Sequence, residues 1–305
     1  MARRRARGRD VNGILLLDKP AGVSSNAVLQ QVKRLFFAKK AGHTGSLDPI
    51  ATGLLPICLG EATKVSAYLL DANKGYQVTI KLGQTTATGD IEGEVTSSRP
   101  VPVLSRSGLE QVLRSFIGEI DQVPPMYSAL KKDGQPLYKL ARQGIEVERQ
   151  ARRVTIHSIE LTALRVDEID LEVICSKGTY IRTLSEDIGE KLGCGGHVKA
   201  LRRTLTEPFR LADAVCMAQL ESIRKEDTFE SLDDLLLPID TALQSWPHVS
   251  LNKDMANYLR HGQAVLVPKA PTEGLVKLYG YEDEFLGVGH ILDDGRVAPK
   301  RLICA

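Results

Sequence analysis

The chain has no Cys-x-x-Cys pair, no apolar run of membrane-spanning length, no phosphate-binding glycine motif and almost no net charge. Each absence excludes a class of protein. The five cysteines (Cys58, Cys175, Cys194, Cys216, Cys304) form an odd, dispersed set in 305 residues. That argues against a disulfide framework and for reduced thiols in the cytoplasm. Cys194 and His197 have the spacing of a metal pair but lack nearby partners, so a structural use is expected and no metal site is assigned. The glycines of the richest glycine stretch are not followed by Gly-Lys-Ser/Thr, which excludes a P-loop. Lys and Arg number 40 against 38 Asp and Glu, a net charge of +2 that by itself points to no polyanionic partner. Basic residues nevertheless cluster at Arg3 to Arg9, Lys131-Lys132, Arg149 to Arg153 and Arg202-Arg203. Such clusters are solvated faces unless the fold makes them converge on a phosphate backbone. Residues 1–10 read as a solvated basic arm, because no apolar core of signal-peptide type follows them.

What is present centres on Ala41 to Gly53, AGHTGSLDPIATG. Three glycines, two threonines and a serine suit neither a helix interior nor a strand. They predict a shaped loop, and such loops carry function when a rigid scaffold holds them. Asp48 is its one carboxylate. With Pro49 after it, Asp48 fits a helix N-cap as well as it fits a reactive acid.

Around this loop the periodicities alternate. Val11 to Leu17, Leu54 to Leu59, Tyr76 to Leu82, Val154 to Leu164, Ile169 to Cys175 and His197 to Thr206 read as strands. Helices are expected from Ser24 or Ser25 to about Phe37, over Glu61 to Leu70, after a Ser107/Glu110 capping box, from Tyr180 to Leu192, and around Met217 to Arg224 and Leu232 to Leu237. Between Pro124 and Arg153 prolines, glycines and basic residues interrupt the pattern, which reads as an excursion holding a short helix over Leu137 to Gln143. Trp246-Pro247 looks like a linker. A small helix over Asn252 to Arg260 and strands at Ala264 to Val267, Leu275 to Tyr279, Phe285 to Leu292 and Val297 to Cys304 then make a β-rich unit near the lower size limit for independent folding. The fold class is α+β, with strands and helices intermixed and no fixed-period repeat. Judged singly, Tyr76 is a core aromatic on an alternating strand, Arg182 a solvated helix charge, and His43 a turn residue.

The runs LLLDKPAGVSSN, AGHTGSLDPIATGLLPICLGEATK, PPMYSALKKDGQPLYKLARQGIEVERQ and CSKGTYIRTLSEDIGEKLGCGGHVKALRR resemble the TruB family of tRNA pseudouridine-55 synthases, from about Gly8 to Arg203. The C-terminal unit resembles the family's PUA RNA-binding domain more loosely. The resemblance implies a basic arm (1–10), a catalytic domain (11–248) with an RNA-clamping insertion at about 124–153, and a PUA-like domain (249–305). The sheet core is then the mixed, largely antiparallel one of pseudouridine synthases. The implied substrate is the T arm of tRNA, with no cofactor, no obligatory protein partner or guide RNA, no membrane, and a monomeric, cytoplasmic enzyme. Residue by residue, Asp48 matches the catalytic aspartate, Tyr76 the tyrosine stacked on the target base, and Arg182 the arginine paired with the carboxylate. Tyr180 and Leu201 match residues lining the base pocket, Lys19 and Pro20 the strand end beside it. His43 matches the histidine filling the space left by flipped nucleotides. Physical chemistry agrees: a base must leave its stack to be reached, and an aromatic repays about 1–3 kcal/mol of that cost. A bidentate guanidinium is expected to keep the acid ionised and aimed. The competing readings are a non-catalytic tRNA-binding or folding-assistance protein, which would not need Asp48, and a guide-RNA-dependent relative, which would be inactive alone.

Overall fold

The computed structural model describes residues 8–226 and 229–304. Most of the basic arm expected over residues 1–10 therefore lies outside the described residues. Gly13–Lys19 forms β1, Thr52–Leu59 β2, Lys74–Leu82 β3, Gly118–Gln122 β4, Arg152–Leu164 β5, Glu168–Cys175 β6, Gly196–Thr206 β7 and Val215–Cys216 β8. They lie side by side in the order β8-β1-β2-β7-β3-β6-β5-β4, and two short strands, Ala41–His43 on β2 and Phe209–Arg210 on β7, join off that path. Pairing is antiparallel except between β1 and β8 and between β7 and β2. This is the α+β class that the alternating periodicities predict.

One face of this sheet is covered by α1 (Ser25–Leu35), whose N-terminus is capped by the Ser24 hydroxyl. Val28, Leu29 and Val32 sit at helical spacing and pack on Leu15, Leu17, Leu55 and Ile57. α2 (Ser66–Asp71) is a short helix preceded by a 3-10 turn, where the sequence predicts one continuous helix. α3 spans Arg106–Arg114 and starts at Ser105, whose hydroxyl accepts the Gly108 N–H. The Ser107/Glu110 box expected there does not form: Glu110 instead pairs with Arg106 one turn earlier. α4 (Ile181–Lys191) lies against β7 and buries Leu184 and Ile188 among Ile80, Ile169 and Val198. In the insertion, Lys131–Lys132 pairs with Gln135–Pro136 in a hairpin, and one helical turn runs over Leu137–Ala141.

The C-terminal sheet has four strands, His248–Ser250 (β9), Leu275–Tyr279 (β10), Phe285–Ile291 (β11) and Val297–Leu302 (β12), in sequence order. The strand expected over Ala264 to Val267 reduces to a single bridge between Val265 and Val297. Trp246 is no free linker: its ring meets Tyr68 edge-on at 4.8 Å between centroids. Val288, Leu275 and Phe285 pack in one cluster with Ile14, Leu16 and Leu54 of the large sheet. The two sheets share apolar surface, and the C-terminal unit is docked rather than tethered.

Candidate active site

The stretch expected as a loop from Ala41 to Gly53 is strand at both ends, Ala41–His43 and 52–53. The loop proper is 44–51, and it is not a helix start. After Asp48 the chain bends once and enters β2, so the capping reading of Asp48 is excluded. Its shape is fixed from beneath. Ser25 Oγ both accepts the Leu47 N–H (2.7 Å) and donates to the Leu47 carbonyl (3.0 Å). Lys19, fully buried at the end of β1, donates to the Ala51 (2.7 Å), Pro20 (2.8 Å) and Pro49 (3.3 Å) carbonyls. Burial pulls the Lys19 ammonium down to about 8, with Asp48 opposing.

Above the loop is a cavity of about 320 Å³, within the range of small-ligand sites. Asp48, Tyr76, Tyr180, Arg182 and Leu201 all line it. Lys19, Pro20 and His43 do not; Lys19 supports the loop and Pro20 is exposed. His43 leaves its Nδ1 buried without a hydrogen-bond partner, and burial lowers its pKa.

Arg182 comes from the first turn of α4 and is 5% exposed. Its Nε lies 3.0 Å from Asp48 Oδ2. The bidentate grip expected from the sequence is absent. The terminal nitrogens are engaged elsewhere, one donating to the Thr88 carbonyl (2.9 Å) and lying 3.7 Å from buried Asp90, the other donating to the Tyr127 carbonyl (2.6 Å). Asp48 keeps 43% of its side chain exposed because one face opens into the cavity. Around the rest of the carboxyl the protein is dense. Burial therefore raises its pKa, with Arg182 opposing and Asp90 adding to the rise. Asp48 thus faces the cavity with one charged contact, the Arg182 Nε, and a pKa raised by burial.

Tyr76 stands on β3 at the position where Val78 and Ile80 turn into the core, so its ring packs partly against that cluster while it lines the cavity. Tyr180 precedes α4 and has its backbone N–H held by Gln122 Oε1 (3.0 Å). Burial raises the pKa of both phenols.

Sequence reasoning gave several groups here no role at the site. Arg203 and Lys74 line the cavity and are buried, although Arg203 reads as part of a basic surface cluster. Lys74, pulled down to about 8 by burial, caps the carbonyls of Leu69, Leu70 and Ala72 at the end of α2. Asp90 was hidden in a turn-forming stretch. Ser128, 5% exposed, also lines the cavity. Several members of the basic clusters have partners: Arg202 pairs with Asp18, Arg153 with Glu119 and Asp121, and Arg149 donates to the Pro124 carbonyl. Cys194 donates to the Gly189 and Gly195 carbonyls and His197 pairs with the Gln84 carbonyl, the structural use expected of them. Among the described residues no cluster of metal ligands occurs, and no helix is long and apolar enough to cross a membrane.

The mixed sheet has a counterpart among solved structures. The chain superposes on one in the crystal structure of a Cbf5-Nop10-Gar1 complex with a TM-score of 0.74 at 26% identity, covering 95% of this chain and 84% of that one. The fold is that of the pseudouridine synthases. Sequence comparison is more specific. Residues 33–181 match the N-terminal domain of the TruB family pseudouridylate synthases, 182–244 a tRNA pseudouridylate synthase B C-terminal domain, and 247–303 the C-terminal domain of pseudouridine synthase II TruB. The chain is 58% identical over 300 residues to the tRNA pseudouridine synthase B of Nitrosococcus oceani, covering 98% of this chain and 97% of that one. It is 57% identical over 295 residues to that of Ectopseudomonas mendocina, covering 97% and 96%. The chain belongs to the TruB family and is a pseudouridine synthase, an isomerase.

Proposed function

We propose that this protein isomerises uridine 55 in the T loop of tRNA to pseudouridine, with Asp48 as the nucleophile. The observation that carries the reading is the Asp48 carboxyl facing a cavity beside Tyr76 and Tyr180, with Arg182 Nε at 3.0 Å. The target base leaves the RNA stack and enters this cavity, where the Tyr76 ring offers a stacking face. Attack by ionised Asp48 on C1′ forms an Asp48–C1′ ester as the C1′–N1 bond breaks with its electron pair on the uracil. The uracil turns, its C5 attacks C1′ and expels the Asp48 carboxylate, and the C5 proton is lost as N1 gains one. Atoms and electrons balance within the substrate, so the reaction as written calls for no cofactor.

In this reading Leu201 and Tyr180 bound the base, Lys19 and Pro20 form the strand end beside the pocket, and His43 fills the space left by the flipped nucleotides. The insertion at about 124–153 closes on the RNA, and residues 249–305, folded as a PUA-like domain after a catalytic domain spanning 11–248, extend the RNA-binding surface. The chain works as a cytoplasmic monomer without guide RNA or obligatory protein partner.

The experiment is tritium release from a tRNA transcript labelled at uracil C5, using the purified chain alone. Wild type should release one label per tRNA, and a transcript with cytidine at position 55 should release none. Asp48→Asn should bind the transcript yet release nothing. Wild-type-rate release from an intact Asp48→Asn protein ends the nucleophile assignment.

A further inference from the structure

Arg203 heads the fully buried side chains by volume and is 1% exposed. It lies on β7 opposite Tyr76 on β3 and Gly53 on β2. Its Nε donates to the Leu54 carbonyl (2.7 Å), and a terminal nitrogen donates to the Gly45 carbonyl (3.3 Å). One guanidinium thus joins β2 to the loop three residues before Asp48. Among the described residues no carboxylate forms an ion pair with it. Burying a cation without a counter-ion is costly, and an apolar residue would fill the same space without that cost.

The two carbonyls lock the plane of the guanidinium, and Tyr76, its cross-strand partner, lines the same cavity. The electrostatics agree: burial raises the Tyr76 pKa, and the neighbouring Arg203 opposes that rise. Arg203 also helps to lower the pKa values of Lys19, His43 and Lys74, so its field reaches across the cavity floor. Arg182 cannot share this role, since its nitrogens are taken by Asp48, Thr88 and Tyr127.

We propose that Arg203 is a positioning residue of the reaction, acting through the Tyr76 phenol to hold that ring in fixed relation to the Asp48 loop. This rests on the function proposed above. The test is a double-mutant cycle with Arg203→Lys and Tyr76→Phe, read as single-turnover tritium release, RNA affinity and thermal melting. Arg203→Lys should slow the single turnover roughly ten- to a hundredfold, the range for losing a charge-assisted hydrogen bond, with RNA affinity changed less than about twofold. In the Tyr76→Phe background, which keeps the ring and removes the phenol oxygen, the same change should cost less than about threefold. Equal losses in both backgrounds overturn the proposal, as does a loss confined to RNA affinity. Should Arg203→Lys be unfolded at assay temperature, Arg203→Gln carries the same cycle. If neither folds, Arg203 is purely structural and the proposal falls. Failure of the underlying function is seen separately, as wild type that releases no label.

Discussion

Arg182 holds Asp48 through a single nitrogen, Nε at 3.0 Å, and spends its other two on the Thr88 and Tyr127 carbonyls. One side chain thereby ties the acid to the Thr88–Asp90 turn and to the start of the insertion. Arg182→Lys keeps the charge but cannot reach three directions at once. A misplacement near 1 Å costs about a hundredfold in rate, so single-turnover release should fall by that order while RNA affinity stays close to wild type. A rate within threefold of wild type would mean that charge alone suffices. In Arg182→Met the lowering influence on Asp48 is lost, and the acid limb of the pH–rate profile should move to higher pH.

Burial outweighs Arg182 at Asp48, so the folded pKa stands above its unfolded value. Such a group contributes stability that is fully present below the unfolded pKa and is lost as pH rises through the folded one. Asp48→Asn should therefore melt like wild type below about pH 4 and higher than wild type at pH 7. With 43% of the side chain open to water, the gain should be under about 1 kcal/mol. Paired melts at the two pH values check it; an Asn variant less stable at neutral pH would show that the ion pair stabilises the fold.

Gly53 sits at φ +99°, and a Cβ there would stand 2.3 Å from the Arg203 carbonyl oxygen. Both partners are backbone in the sheet, so neither can yield cheaply. Gly53→Ala should destabilise by at least about 3 kcal/mol, combining positive-φ strain with the clash. Denaturant melts measure this, and a cost below about 1 kcal/mol would place β2 farther from β7.

Thr206 is fully buried at the end of β7 and its hydroxyl has no hydrogen-bond partner. Thr206→Val removes an unsatisfied polar atom at nearly constant shape. Stability should be unchanged or raised by up to about 1 kcal/mol. A loss greater than that in the same melts would reveal an acceptor for the hydroxyl.

Much of the scaffold was legible because its signals are local. Alternation at Tyr76, Val78, Ile80 and Leu82 marks β3, and four-residue spacing of Val28, Val32 and Phe36 marks the buried face of α1. The helix after Tyr180 and the strand ending at Thr206 follow from the same periodicities. Capping was less legible, since Ser105 and Ser107 offer equivalent hydroxyls and only the backbone at Ser105 is extended. Trp246 beside Pro247 looks like a linker until its ring is placed against Tyr68.

The sequence by itself determined most of the long elements, the special loop at Asp48 and the family, because periodicity, turn chemistry and motif spacing are properties of short stretches. Only the tertiary structure decided that Asp48 caps no helix, that Arg182 grips it with one nitrogen, and that Arg203 is buried opposite Tyr76 while neighbouring Arg202 pairs with Asp18. Burial and ion pairing depend on which strands become neighbours. Two adjacent arginines on a strand point to opposite sides of a sheet, and nothing within the pair says which side will be closed.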